Sequence, residues 1–374
     1  MGKEFLEGNE AIARAAIKAG CDFFAGYPIT PSSSILHYML ELLPQGGGIG
    51  IQAEDEIASM GFCIAAAMAG RKVLTATSGP GISLYSENIG LAIMGETPLV
   101  IVNVQRQGPA TGSATKGAEG DIQFTRWVTS GGLPTIALSP ASVAEAYELT
   151  YAAFNLAEQY RTPVFVLTNK EVGTTRESVD LSAIELPPIV DRKRTGRVDE
   201  YRPHRFERPV DIPPISDFGG ENIARFTTST HDQDAYLTAD PTVIQEMIDH
   251  YKEKIDGAAD EIALYKADFQ EGAETLVVSY GITSRSAKVA VRQARMSGKK
   301  VSSLVLQTLF PVPEKAIVAA LVGVKRVIVP EMNMGQYVLE IERLACDSAE
   351  ILGVNKMDTT LISPEMILKK GGLA

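Results

Sequence analysis

The sequence predicts an α/β architecture of two parallel-sheet units, on three observations. Short apolar strands alternate with helical segments across residues 1–185, the same alternation resumes at Glu274, and the loops after the strands of the first unit carry unusual residues. Apolar strands separated by helices indicate a mostly parallel sheet covered on both faces. In such sheets ligands sit beyond the carboxyl ends of the strands.

A helix over Asn9 to Lys18 is closed by Gly20, and the strand Asp22 to Ala25 leads into Gly26-Tyr27-Pro28-Ile29-Thr30-Pro31-Ser32-Ser33. Each proline biases the residue before it away from the helical region, so Tyr27 and Thr30 are expected to be extended. Pro31 suits the first helical turn, which places Thr30 as the N-cap or beside it. The helix Ser33 to Leu43 follows, with Ile35, Leu36, Met39, Leu42 and Leu43 on its apolar face. A hydroxyl and free N–H groups at that helix start suit a carboxylate or a phosphate. A Pro-rich turn with no ligand accounts for the same residues.

The strand Ile49 to Gln52 feeds the helix Asp55 to Ala69, closed by Gly70, with Glu54, Asp55 and Glu56 at the junction. Carboxylates there complement the helix macrodipole. Alternatively, Glu54 points into a site where it hydrogen-bonds and protonates a heterocyclic nitrogen. The strand Val73 to Thr77 runs into Ser78-Gly79-Pro80-Gly81 and the helix Ile82 to Met94. That turn lets backbone approach a ligand closely. It is not a P-loop, and no GxGxxG follows a strand. After the strand Pro98 to Val104, Arg106 stands beside Gly108-Pro109-Ala110-Thr111-Gly112, placed either for bidentate capture of a carboxylate or for a surface ion pair. The strand Thr135 to Leu138, the helix Ala141 to Glu158 and the strand Val164 to Leu167 complete the unit. Four post-strand loops (Tyr27–Ser33, Gln52–Glu56, Ser78–Gly81, Gln105–Asp121) are expected to converge on one site.

Residues 186–240 lack periodicity and carry Pro187, Pro188, Pro203, Pro209, Pro213 and Pro214, so an extended connector wrapping a surface or a partner subunit is expected. Asp240-Pro241 opens an amphipathic helix with Ile244, Met247, Ile248, Tyr251 and Ile255 on one face. The second unit reads as the strand Thr275 to Tyr280, helix Ser284 to Ser297, strand Val301 to Leu306, helix Pro313 to Leu321, strand Arg326 to Val329 and helix Gly335 to Leu344.

Composition narrows the function. At 374 residues the chain holds two cores, and a net charge of −11 argues against a nucleic-acid surface. Cys21, Cys63 and Cys346 stand far apart with no CxxC, which excludes an iron–sulfur cluster or zinc knuckle built from this chain and fits a reducing cytoplasm. Met1-Gly2-Lys3-Glu4-Phe5 lacks the apolar run of a signal peptide, and no window has the roughly 18 apolar residues of a membrane span. His37, His204, His231 and His250 share no ligand spacing and read as ordinary polar residues, and Asp232, Asp234 and Asp240 read as a solvated loop.

Taken in order, Tyr27-Pro28-Ile29-Thr30-Pro31-Ser32-Ser33, Gln52-Ala53-Glu54-Asp55-Glu56, Thr77-Ser78-Gly79-Pro80-Gly81 and Gln105-Arg106-Gln107-Gly108-Pro109 resemble the alpha subunit of the 2-oxoacid:ferredoxin oxidoreductases, in particular the separate-subunit 2-oxoglutarate type. Ser279-Tyr280-Gly281, Leu309-Phe310-Pro311 and Pro330-Glu331-Met332-Asn333-Met334-Gly335-Gln336 extend the resemblance through the second unit. It implies a pyrimidine-type thiamine diphosphate-binding domain over 1–185, a connector over 186–272 and a transketolase-C-like domain over 273–374. The Gly-Asp-Gly motif for Mg-diphosphate is absent here, so a beta subunit is expected to hold diphosphate, Mg²⁺ and a [4Fe-4S] cluster. Gamma and delta ferredoxin-like subunits, ferredoxin and coenzyme A complete the implied system.

The resemblance also assigns roles. Glu54 would bond the aminopyrimidine and promote the imino tautomer that takes the thiazolium proton. Arg106 would hold the substrate carboxylate, with Thr30 on the same carboxylate or the keto oxygen. Tyr27, Pro28, Ile29, Ser78 and Gly79 would line the cofactor. Ala110, Ser113-Ala114-Thr115 and Glu119-Gly120-Asp121 depart from frequent family forms near the substrate loop, and Lys116 is the cation in that loop for a second carboxylate. Pyruvate or branched-chain 2-oxoacids, a non-catalytic assembly subunit, and a nucleotide-binding α/β protein are the competing readings.

Overall fold

The computed structural model describes residues 2–374; Met1, part of the N-terminal stretch read above, lies outside the described residues. The first part runs β1 (Glu4–Glu7), α1 (Gly8–Lys18), β2 (Phe23–Gly26), α2 (Ser33–Leu42), β3 (Ile49–Gln52), α3 (Glu56–Met68), β4 (Val73–Thr77), α4 (Pro80–Met94), β5 (Leu99–Gln105), α5 (Ile122–Arg126), β6 (Ile136–Leu138), α6 (Val143–Tyr160), β7 (Pro163–Asn169), α7 (Lys170–Thr174) and β8 (Arg176–Val179). The remainder runs α8 (Pro241–Asp256), α9 (Ala259–Ile262), β9 (Tyr265–Asp268), β10 (Thr275–Tyr280), α10 (Thr283–Met296), β11 (Val301–Leu306), β12 (Thr308–Phe310), α11 (Glu314–Leu321), β13 (Arg326–Glu331), α12 (Val338–Ala345), β14 (Glu350–Asn355) and α13 (Pro364–Lys370).

The main sheet has seven strands in the order β12-β6-β7-β5-β4-β2-β3. All its pairings are parallel except β12 with β6. Register explains the two cores. Leu74, Val100 and Val164 lie side by side across β4, β5 and β7, and join the cluster holding Ile12, Ala146 and Phe154 of α1 and α6. Ile101 and Phe165, one residue on, belong to the opposite face with Met60, Cys63, Tyr85 and Ile89 of α3 and α4. Period-two alternation thus divides each strand between two helical layers, and all seven residues of β5 are buried. Each large apolar side chain so buried contributes about 1.5–3 kcal/mol.

The second sheet runs β14-β13-β10-β11-β9, with β9 antiparallel on one edge. β1 and β8, neither expected from the sequence, form a separate antiparallel pair. β12 belongs by sequence to the second unit but extends the first sheet, with Thr308 opposite Leu138 and Phe310 opposite Ala137.

The connector wraps this chain's own first domain. Arg192, buried, forms a bidentate pair with Glu158 (2.8 and 2.6 Å) and donates to the Ala67 and Arg71 carbonyls. Glu96, fully buried, takes Lys254 Nζ at 2.7 Å and bonds His204 and His250, both at 2.9 Å. His204, His231 and His250 are therefore buried anchors, against the reading of ordinary polar residues. Burial works to raise the Glu96 carboxyl, but Lys254 and Arg161, with the two histidines, hold it well below the usual carboxylate range. Burial pushes the His204 imidazole down to about 4 against the pull of Glu96.

Candidate active site

Four strands of the first sheet end on one edge, and the loops after β2, β3, β4 and β5 meet there. The loop after β2 differs from expectation at its end. α2 starts at Ser33 with Ser32 at the N-cap position, making no side-chain cap, so Pro31 and Thr30 precede the helix. Thr30 is exposed, and its carbonyl accepts from Arg106 Nη1 at 2.7 Å. Tyr27 is 36% exposed, with Pro28 and Ile29 half-buried beside it.

At the next junction Asp55 caps α3, its side chain accepting from the Ala58 N–H at 2.7 Å. Glu54 precedes the cap and is exposed. Glu56, first residue of the helix, is buried at 6% exposure. Among the described residues its carboxylate has no hydrogen-bond partner. It lies in register with buried Ser59, Met60, Cys63, Ile64 and Ala67, so it belongs to the inward stripe of α3.

β4 delivers Thr77 and Ser78, both fully buried, to the same edge. Gly79 follows with φ +49° and forms the N-cap of α4. A Cβ there would lie 3.0 Å from Arg106 Nε, so a side chain would press on the guanidinium. At Gly81 a Cβ would collide with Thr77 Oγ1 and come within 2.8 Å of Glu56 Oε1, which locates the Glu56 carboxylate against the turn.

β5 ends in Asn103 and Gln105, both fully buried, and Arg106 follows at 6% exposure. Its Nη2 donates to the Thr111 carbonyl at 3.2 Å. The loop is a hairpin, with Gln107 N–H bonded to Lys116 O (2.9 Å) and Ser113 N–H to Gln107 O (3.0 Å). Among the described residues Arg106 makes no ion pair, so its cation rests on carbonyls. Burial lowers its pKa, opposed by the Asp121 and Glu56 charges. Lys116 is exposed and likewise lacks an ion pair among the described residues.

Among the described residues, five buried polar atoms at this edge lack partners: Thr77 Oγ1, Ser78 Oγ, Asn103 Oδ1, Gln105 Nε2 and Arg106 Nε. Buried orphans of this kind are rare. Clustered at the carboxyl ends of adjacent strands, with a partnerless carboxylate and an unpaired guanidinium, they fit a heterocycle with an amino group and an anion beside it. The structure thus brings Thr30, Ser78, Gly79 and Arg106 together, through the Thr30–Arg106 bond and the Gly79–Arg106 approach, and sets Glu56 against the Gly81 turn, with Glu54 exposed two residues before it. Sequence reasoning passed over Glu56, Thr77, Asn103 and Gln105. The spacing of Glu56 from Ser59, Met60 and Cys63 is the signal that identifies it.

The second domain closes this region from one side. Glu119, 2% exposed, accepts from Asn169 Nδ2 (2.9 Å) and the Ile282 N–H (3.2 Å). Gln336 Nε2 donates to the Gly120 carbonyl at 2.6 Å. Burial pushes the Glu119 carboxyl up to about 8. Asp121, two residues on, accepts from Asn103 Nδ2 at 2.9 Å.

Known proteins resemble the chain along nearly its whole length. Residues 14–249 match the family model described as pyruvate flavodoxin/ferredoxin oxidoreductase, thiamine diphosphate-binding, and residues 273–367 that of pyruvate:ferredoxin oxidoreductase core domain II. The 2-oxoglutarate synthase subunit KorA of Methanocaldococcus jannaschii is 42% identical over 98% of both chains. The ketoisovalerate oxidoreductase subunit VorB of Methanothermobacter marburgensis is 34% identical over 99% of this chain and 97% of that one. A solved 2-oxoglutarate:ferredoxin oxidoreductase from Magnetococcus marinus, with 2-oxoglutarate, coenzyme A and succinyl-CoA bound, superposes with a TM-score of 0.90 at 28% identity. It is matched over 99% of this chain, which spans 64% of that longer one. A split-gene transketolase shares the fold alone, at TM-score 0.54 and 12% identity.

Proposed function

The chain belongs to the 2-oxoacid:ferredoxin oxidoreductase family as an alpha-type subunit, and from that premise we propose that it forms the pyrimidine half of a site that oxidatively decarboxylates 2-oxoglutarate. Coenzyme A is the acyl acceptor and ferredoxin the electron acceptor, giving succinyl-CoA and CO₂. The observation that carries this reading is the cluster of orphaned buried polar atoms at the strand ends beside Arg106, whose guanidinium rests on carbonyls.

Thiamine diphosphate, when bound, supplies the carbon nucleophile for the keto group. The chain's own residues position and exchange protons around it. Glu54, exposed where the partner completes the site, hydrogen-bonds the aminopyrimidine ring nitrogen, and Glu56, buried against the Gly81 turn, is the second carboxylate of that junction. Arg106 receives the substrate's 1-carboxylate, its plane fixed by the Thr30 and Thr111 carbonyls. Tyr27, Pro28 and Ile29 form one wall, and Ser78 and Gly79 the other. Lys116 offers a charge for the distal carboxylate.

The beta partner supplies the diphosphate and Mg²⁺ anchor and a [4Fe-4S] cluster, with gamma and delta ferredoxin-like subunits beyond it. Its docking face is the outer side of α3 and α4, which begin at the site. There Ile57, Phe62 and Leu84 are 52%, 43% and 47% exposed. The division at residues 185 and 272 assigns the pyrimidine half to the first part and a closing role to the last. The likeness to a ketoisovalerate oxidoreductase subunit keeps a branched-chain 2-oxoacid as the second reading. It would leave Lys116 without a role.

The test is co-expression with the neighbouring beta-type subunit and thiamine- and coenzyme A-dependent viologen reduction with 2-oxoglutarate, pyruvate and 2-oxoisovalerate. Turnover of 2-oxoglutarate, abolished by Glu54→Gln, supports the reading. Preference for a branched acid selects the second. Assembly without turnover of any acid overturns both.

A further inference from the structure

We propose that Asn9, at the start of α1, is a positioning residue for the 1-carboxylate of the 2-oxoacid: its amide holds the Pro31 carbonyl, and so sets the adjoining Thr30 carbonyl and the plane of the Arg106 guanidinium. This rests on the reading of Arg106 as the carboxylate-binding residue.

The contacts run in an unbroken line from Asn9 to Arg106. Asn9 is fully buried, and its Nδ2 donates to the Pro31 carbonyl at 2.9 Å and to Ser34 Oγ at 2.8 Å. Those bonds use both hydrogens of the amide nitrogen. Within the turn, the Ile29 carbonyl accepts from the Ser32 N–H and from Ser32 Oγ, each at 2.9 Å. The Ser32 carbonyl accepts from the Ile35 N–H at 2.9 Å. Thr30 and Pro31 offer their carbonyls outward instead, Thr30 to Arg106 Nη1 at 2.7 Å and Pro31 to Asn9. The two carbonyls belong to adjacent planar peptide units, so the bond from Asn9 limits how far the Thr30 carbonyl can turn.

Asn9 itself has little freedom. Ile12, Ala13 and Ala16 of α1 share a core with Ile35, Leu36 and Met39 of α2, which fixes the reach from Asn9 to Pro31 and Ser34. On its other side a Cβ on Gly173 of α7 would lie 2.6 Å from Asn9 Oδ1, so the amide is backed against that helix. The second loop also rests on α7: a Cβ on Gly117, just beyond the hairpin that carries Thr111, would collide with the Glu171 carboxylate. The guanidinium thus lies between one carbonyl from each loop, Thr30 and Thr111. Its Nε–H has no partner among the described residues and is left, with the remaining Nη hydrogens, for an anion. A planar fork pairs its donors with a carboxylate only in its own plane, so a tilted guanidinium keeps its charge and loses the paired geometry.

The test uses the assembled complex, saturated with thiamine diphosphate, with viologen as acceptor and the preferred 2-oxoacid and coenzyme A varied in turn. Asn9→Asp keeps the shape but removes both N–H donors, and is expected to raise KM for the 2-oxoacid about tenfold while kcat changes about twofold at most. KM for coenzyme A is expected to stay within about twofold, whereas a loosened fold would raise both. In the Arg106→Lys background the same substitution is expected to add less than about twofold, because residues acting through one contact are not additive. Asn9→Ser, which removes the amide without burying a charge, decides the matter if Asn9→Asp fails to assemble. Equal rises in both KM values, a 2-oxoacid KM left unchanged, a rise that multiplies with that of Arg106→Lys, or failure of both variants to assemble overturns the proposal while leaving the function intact. Absence of wild-type turnover with any 2-oxoacid overturns the functional reading, and this one with it.

Discussion

Two carboxylates flank the Asp55 cap of α3, Glu54 exposed and Glu56 buried against the Gly81 turn. Glu54→Gln is expected to lower kcat by about 10²–10⁴ in the viologen assay of the assembled complex, and Glu56→Gln to lower it less, through the packing of the Gly81 turn. Arg106→Lys keeps the charge but loses the planar fork between the Thr30 and Thr111 carbonyls, so KM for the 2-oxoacid is expected to rise about tenfold or more. Equal KM values would show that Arg106 is structural. The motifs made Thr30, Ser78, Gly79 and Arg106 legible in the sequence because each follows a strand. That Glu56 is the buried member of the acidic triplet required knowing that Asp55 is the cap, which sets the phase of the stripe from Glu56 to Ala67. Asn103 and Gln105 stayed hidden because strand residues alternate faces, and only the end of β5 reveals what those faces meet.

Helices and strands with strong periodicity matched expectation to within a few residues, α3, β4, β5, α6 and α10 among them. The elements that escaped it are the strands β1, β8, β9, β12 and β14, each held by a partner strand, and the short helices α5, α7, α9 and α13. The buried contacts of the connector were illegible for the same reason, since Glu96 and Lys254 meet across 158 residues. The clasp between the loop before α5 and the start of α10 has a pH signature. Glu119 has a folded-state pKa raised to about 8, above its unfolded value, so the folded state binds more protons. Stability should fall as pH rises from about 4.5 to 8, and Glu119→Gln should flatten that decline and raise Tm at pH 8 by on the order of a few degrees in thermal unfolding. The connector has the opposite dependence. With the His204 pKa depressed to about 4, its contribution is present above about pH 6.5 and is lost as pH falls toward 4. Hydrogen exchange across residues 200–256 should quicken over that window, and His204→Gln should reduce the change.

As a whole the molecule gathers four post-strand loops on one sheet edge, with an apolar helical face carrying exposed Ile57, Phe62 and Leu84 beside it. Phe62→Asp is expected to block association with the beta-type partner, seen by co-purification, while leaving the circular dichroism of the isolated chain unchanged, because Phe62 is 43% exposed there. Retained association would move the docking face elsewhere. Two parallel-sheet units were legible from composition and alternation, since burial on both faces demands continuous apolar strands. That the units share a sheet was not, because three residues carry no periodic signal. The shared strand has a consequence for how such a chain can be divided between genes. A break in the segment between α9 and β10 would leave the upstream product with β6 unpaired along one side, an adhesive border inviting other chains. The downstream product would carry a stray strand with nothing to complete. Fission there succeeds only if the two products are made together and find each other before either finds a copy of itself.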